Sequence, residues 1–214
     1  MVKPIRYFKK KYKVIIPQLD VGNRIQEFKK NILKLLPEKF SVIGFSMGGF
    51  VALKLAIEEI ERVEDLVLIG TNARSVSKDR RLLLKKSISE LNSENFISKF
   101  SSSSFHSYFA KHNTTNQRYL NVIEEMVKKL GLDCLNTQTK AILERPSLIN
   151  LLSKIKARCL IISGELDNLS TKKMNEELSN NIIDSELQYI KNSGHFVMLE
   201  EEEEFNKIIL IYNK

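Results

Sequence analysis

Three apolar runs in this chain end in glycine. They are Phe40-Ser41-Val42-Ile43-Gly44, Val63-Glu64-Asp65-Leu66-Val67-Leu68-Ile69-Gly70 and Cys159-Leu160-Ile161-Ile162-Ser163-Gly164. A short continuous apolar run of this kind reads as a strand buried on both faces, and such strands belong to parallel sheets covered by helices. Shorter strand-like runs stand at residues 13–16 and 186–190, and helical stretches at 22–36 and 47–61 lie between the first runs. The alternation predicts an α/β fold: a mostly parallel sheet flanked by helices.

The first run leads into Gly44-Phe45-Ser46-Met47-Gly48-Gly49, a G-x-S-x-G pattern followed by the helical Phe50-Val51-Ala52-Leu53-Lys54-Leu55-Ala56. A sharp strand-to-helix turn holds a serine hydroxyl out into a cleft, and small neighbours are needed where a Cβ would collide with strand or helix. Ser46 is therefore a candidate nucleophile. An ordinary glycine-rich strand-to-helix turn is the other reading.

A serine nucleophile needs a base and an orienting carboxylate. The chain has three histidines. His106 and His112 lie in a polar Ser- and Asn-rich stretch and are not assigned a catalytic role. His195 follows the strand-like run Glu186-Leu187-Gln188-Tyr189-Ile190, on the loop Asn192-Ser193-Gly194-His195-Phe196. Glu165 and Asp167 follow the third apolar run, with Asp167 the first choice and Glu165 the second. The order Ser46, Asp167, His195 is one of several in which this triad occurs, and it matches that of an α/β-hydrolase sheet.

With these residues in hand, the chain resembles the α/β-hydrolase fold family, in its small bacterial esterase-like branch. Residues 40–70, 160–167 and 194–205 carry the resemblance, the last through the pattern G-H-x-x-x-L-E and a terminal helix. It is weakest between about 75 and 139. It implies a serine hydrolase, carboxylesterase-like, cleaving a small or medium carboxylic ester or related acyl compound through an acyl-enzyme. Carried over, it makes Ser46 the nucleophile, Asp167 the acid, His195 the base and the Met47 N–H one oxyanion donor. No cofactor and no metal are implied.

The chain also departs from that family. Members begin with further strands and a glycine-rich loop that supplies a second oxyanion N–H, and neither is found here. Residues 1–13 look like the helix after that loop, and Val14-Ile15-Ile16 like the following strand; either that strand pairs directly with residues 40–43, or the chain is a truncated or split version of a longer protein. Thr171 stands where proline is usual, and where proline is usual shortly after the glutamate that follows the histidine block this chain has the acidic run Glu200 to Glu204, suited to the first turn of a helix. The fold expectation is thus an N-terminally shortened α/β-hydrolase, and the functional alternative is an impaired or inactive binding protein of the same fold.

Residues 1–214 are read as one domain with a helical lid insertion at about 72–155, its joints at Ser101–Ser104 and His112–Asn116. Phe45, Phe96, Phe100, Phe105, Phe109 and Met126 either line an apolar pocket there or pack the core. The net charge is +8, and six of the first 13 residues are Lys or Arg among Tyr7, Phe8 and Tyr12. That pattern reads as a lysine-rich surface helix, and no nucleic acid is expected as a partner. The two cysteines lack metal-ligand spacing, no apolar run approaches the ~20 residues that span a bilayer, and no leader pattern is seen, which makes the cytoplasm the expected location. A small-molecule ester or acyl substrate is the expected partner, with a second copy or a complementing N-terminal segment as further possibilities.

Overall fold

The computed structural model describes residues 3–20 and 22–212. Met1 and Val2, the start of the expected first helix, and Val21 lie outside the described residues. In chain order the elements are α1 (Lys3–Lys11), α2 (Ile25–Leu33), β1 (Phe40–Phe45), α3 (Met47–Glu58), β2 (Val63–Ile69), α4 (Lys78–Ser89), α5 (Phe96–Tyr108) and α6 (Gln117–Glu144). There follow β3 (Arg158–Gly164), α7 (Lys172–Asn181), β4 (Ser185–Ile190), α8 (Val197–Glu200) and α9 (Glu202–Tyr212).

The four strands pair in parallel in the order β1-β2-β3-β4. This is the predicted α/β architecture. Alternate residues of the central strands supply the two faces, as the two-residue period of a strand requires. Leu66, Leu68, Cys159 and Ile161 pack with Ile25, Phe28 and Ile32 of α2, with α3, and with Leu178 of α7. Val67, Ile69, Leu160 and Ile162 pack with Phe8 of α1 and Phe205 and Ile209 of α9. The helix after β1 is apolar around most of its circumference, with Phe50, Val51, Ala52, Leu53, Leu55, Ala56 and Ile57 all buried. A helix of that kind forms because it is enclosed, since each fully buried large side chain contributes about 1.5–3 kcal/mol.

The strand expected at residues 13–16 is not present. Val14 packs on the α1 and α9 face, while Leu19 packs on the α2 and α3 face. The segment between α1 and α2 therefore crosses from one face of the sheet to the other, and Pro17 within it has no N–H to offer a ladder. Among the described residues β1 pairs only with β2 and forms an edge of the sheet, with Ile43 47% exposed.

Residues 71–155 contain no strand, as expected, and carry α4, α5, α6 and two 3₁₀ turns. Ser101–Ser104 do not form a joint. They lie inside α5, where Ser102 and Ser103 donate to the carbonyls of Lys99 and Phe100 and so need no break in the helix. The break falls at Gly131 within α6, at φ 79° and ψ 163°. Phe105 and Phe109 are buried with Ile123, Val127 and Phe196, and Phe45, Phe96 and Phe100 pack against that cluster. Met126 is largely exposed.

Candidate active site

Each of the three predicted side chains stands at the C-terminal end of a strand. Ser46 follows β1, in a backbone conformation of φ 51° and ψ −115°. Few L-residues adopt it, and it costs about 1–3 kcal/mol. The turn is held because the Ser46 N–H bonds the Ile69 carbonyl at 2.9 Å and its own carbonyl accepts from Thr71 Oγ1 at 2.8 Å.

The glycines around it are not equivalent. A Cβ on Gly44 would stand 2.5 Å from the Gly48 carbonyl oxygen, and one on Gly49 2.6 Å from Thr71, so both allow α3 to press on the strand ends. Gly48 has nothing within 4 Å of its missing Cβ. The steric reason given for it from the sequence therefore fails, because a Cβ there would point into open space.

Asp167 is buried in the turn after β3. Its Oδ1 accepts the N–H groups of Leu169 at 2.7 Å and Ser170 at 2.9 Å. Ser170 Oγ in turn donates to the Thr71 carbonyl, and buried Asn175 donates to Ser163 Oγ and the Ser170 carbonyl. The acid loop is thereby tied to the end of β2. Glu165, the second candidate, turns outward and pairs with Lys172 at 3.0 Å.

His195 is 3% exposed. Its Nδ1 lies 2.8 Å from Asp167 Oδ2 and its Nε2 lies 2.9 Å from Ser46 Oγ. The chain thus brings Ser46, His195 and Asp167 into one hydrogen-bonded line, at a serine-to-histidine separation of 149 residues. His106 is exposed on α5, and His112 is exposed in the 3₁₀ turn just beyond it. Met47 opens α3, so its N–H is among the helix donors without an intrahelical acceptor. Such a donor, at the positive end of the helix dipole, favours negative charge beside Ser46.

Several contributors have no local sequence signature. Gly70, at φ 50°, leaves the space beside the imidazole: a Cβ there would stand 3.2 Å from His195 Nδ1 and 3.4 Å from Asp167 Oδ2. The only available hint was a glycine closing an apolar run. Tyr108, from α5, stacks on the imidazole at 6.0 Å and 20°, and Phe45 flanks it at 4.9 Å. Arg145, just beyond α6, donates to Asn72 Oδ1 at 3.2 Å and lies over the Phe50 ring at 4.8 Å. Burial pushes its guanidinium down to about 10. Among the described residues no group of three or more His, Cys, Asp or Glu side chains could hold a metal ion, and no helix is long and apolar enough to cross a membrane.

Comparison with known proteins agrees with this architecture. The esterase from Thermogutta terrifontis superposes with a TM-score of 0.79 at 20% identity, covering 93% of this chain and 74% of that one. A hydrolase from Pseudomonas aeruginosa PA01 gives a TM-score of 0.80 at 18% identity, with coverage of 93% and 74%. In sequence, the pimeloyl-[acyl-carrier protein] methyl ester esterase of Legionella pneumophila (strain Corby) is 42% identical over 82 residues, 34% of this chain. The match spans 33%, about a third, of that relative's length. The family model for the alpha/beta hydrolase fold matches residues 18–202, and the chain belongs to that family.

Proposed function

We propose that the protein is a serine hydrolase acting on a carboxylic ester or related acyl compound, with Ser46 as nucleophile, His195 as general base and Asp167 as the orienting acid. One observation carries the reading: His195 is hydrogen-bonded to both other groups at 2.9 Å and 2.8 Å, in the chain order Ser, Asp, His. In this reading His195 Nε2 takes the Ser46 proton as Oγ attacks the carbonyl carbon. Asp167 holds Nδ1–H and stabilises the imidazolium. The Met47 N–H donates to the oxyanion, a role worth about 10²–10³ in turnover per donor. His195 then protonates the leaving alcohol, and water repeats the attack on the acyl-enzyme. The mechanism calls for no metal or organic cofactor. Residues 72–155 serve as the lid, with Tyr108 beside the base.

The basic helix α4 favours a second reading of the substrate. It has no buried residue, and Leu82 and Leu83 are exposed among Lys78, Arg80, Arg81, Lys85 and Lys86. A basic, leucine-bearing surface suits an acidic carrier that delivers its acyl ester; the Legionella relatives are named for a methyl ester on an acyl-carrier protein. Two assays separate these possibilities. A fluorophosphonate probe tests the chemistry: the folded protein is labelled at Ser46, and His195→Ala abolishes labelling. An unlabelled, folded wild type refutes the hydrolase. Comparison of a free methyl ester with the same ester on a carrier protein tests the substrate, and equal kcat/KM for both removes the carrier reading.

A further inference from the structure

We infer that Glu200 is a positioning residue for His195 and fastens it to the helical insertion; this rests on the hydrolase reading above. Glu200 ends α8, five positions beyond the histidine. Its Oε1 accepts the N–H of Gly194, the residue before His195, at 2.7 Å. Its Oε2 accepts the N–H of Ala110 at 2.8 Å and Asn113 Nδ2–H at 2.9 Å, both just beyond α5. One carboxylate therefore joins the histidine loop to the insertion.

The surrounding geometry depends on that junction. The Tyr108 carbonyl accepts the N–H of His195 at 2.8 Å and of Phe196 at 3.3 Å. The two segments touch so closely that a Cβ on Gly194 would stand 2.7 Å from Ala110 N and 2.8 Å from Phe109 C. From the other side the loop is held by Ser193, whose carbonyl accepts Leu166 N–H and whose Oγ donates to the Ile190 carbonyl. His195 is thus clamped between the acid loop and the insertion, and Glu200 supplies the insertion side of the clamp.

The chemistry of the junction selects a carboxylate. Three donors converge on Glu200, and a carboxylate offers two accepting oxygens and no hydrogen. A glutamine of the same shape has one accepting oxygen. It can keep the Gly194 arm or the insertion arm, and it turns an NH₂ toward the donors of the other. Loss of either arm frees the loop to shift the imidazole relative to Ser46. A displacement of about 1 Å at a reacting group costs about 10² in rate.

The test compares Glu200→Gln, Asn113→Ala and, as a stability control remote from the loop, Lys29→Met. The rate of Ser46 phosphonylation by a fluorophosphonate is measured alongside thermal melting. The low-field proton resonance of the His195 Nδ1–H is followed by NMR. The expected result is a 30- to 100-fold slower phosphonylation in Glu200→Gln, a smaller loss in Asn113→Ala and none in Lys29→Met. The Nδ1–H resonance broadens through faster exchange in Glu200→Gln alone. If Glu200→Gln does not fold, Asn113→Ala carries the test, and wild-type phosphonylation in that variant overturns the inference. A folded Glu200→Gln with wild-type rate and resonance also overturns it. If the wild type itself is not phosphonylated, the hydrolase reading fails, and the resonance alone decides the positioning: equal exchange in wild type and Glu200→Gln refutes it.

Discussion

Replacing Ser46 by alanine and by glycine separates the strain of the turn from the chemistry of the hydroxyl. Both variants lose the same 2.9 Å bond to His195 Nε2, so that loss cancels in their difference. What remains is the Cβ. At φ 51° and ψ −115° a residue with a Cβ carries about 1–3 kcal/mol of strain. Glycine is free of it but gives up about 0.5–1 kcal/mol through the greater freedom of its unfolded chain. The net advantage of Ser46→Gly over Ser46→Ala is about 1 kcal/mol. For a domain of this size it appears as a melting temperature about 2–4 °C higher. Urea and thermal denaturation of the two variants in one buffer measure it. In an unstrained loop the sign is opposite, with alanine the more stable. A Ser46→Gly protein that melts at or below Ser46→Ala would show that the turn stores no strain and refute the reasoning.

Three further outcomes are expected. Gly44→Ala should lose about 3 kcal/mol or more of stability, because its Cβ meets rigid backbone at 2.5 Å, whereas Gly48→Ala, with open space around it, should gain up to about 1 kcal/mol; urea midpoints compare them. Asp167→Asn keeps an oxygen for the Leu169 and Ser170 N–H groups but turns an NH₂ toward His195, so it should fold normally and be phosphonylated by a fluorophosphonate about 10⁴-fold more slowly. Lys29→Met should cost about 1–3 kcal/mol at neutral pH by removing the bonds from Lys29 to Glu58 and Glu59.

That last cost depends on pH with a definite sign. Burial works against the Lys29 ammonium, but its bonds to Glu58 and Glu59 outweigh burial and hold it above its ordinary value of 10.5. Burial likewise works against the Glu58 carboxylate, and its bonds from Lys29 and Lys54 hold it below 4.5. A raised lysine contributes its stability below 10.5 and loses it as pH rises further, and a depressed glutamate contributes above 4.5 and loses it as pH falls. The gap between wild type and Lys29→Met should therefore be full between the two and close in acid. Denaturation at pH 7 and pH 3 checks it, and an equal gap at both would refute the assignment.

The sheet and the meeting of Ser46, Asp167 and His195 at its edge were legible because each is written locally. An apolar run closed by glycine is a buried strand, and a polar residue just past it is at the strand's C-terminal end. Residues 13–16 misled because three apolar residues suffice for a strand pattern; in the fold they serve a crossing between faces, which periodicity does not encode. The serine run misled in the opposite direction. Its polarity looked like a joint, yet hydroxyls that bond back to the preceding turn sit comfortably in α5.

Glu200 shows the limit most clearly. It closes the G-H-x-x-x-L-E pattern, which gives it no role, and it heads an acidic run that reads as the solvated start of a helix; Glu202, Glu203 and Glu204 do occupy the first turn of α9. Glu200 turns inward to partners 90 and 87 residues away. Gly70 and Tyr108 were missed for the same reason: their importance lies in what they approach across the chain.

The edge position of β1 sets an order of events under stress. Opening β2 or β3 requires two ladders to break, while β1 is released by breaking one. Local openings draw on the least-connected elements first. The strand that leads into Ser46 is therefore, with β4 at the opposite edge, one of the two parts of the sheet nearest to coming undone, and in rising denaturant the contact of Ser46 with His195 should be lost while the central strands still hold. The working state of this protein is then a narrower thing than its folded state, and partners that cover β1 would widen it.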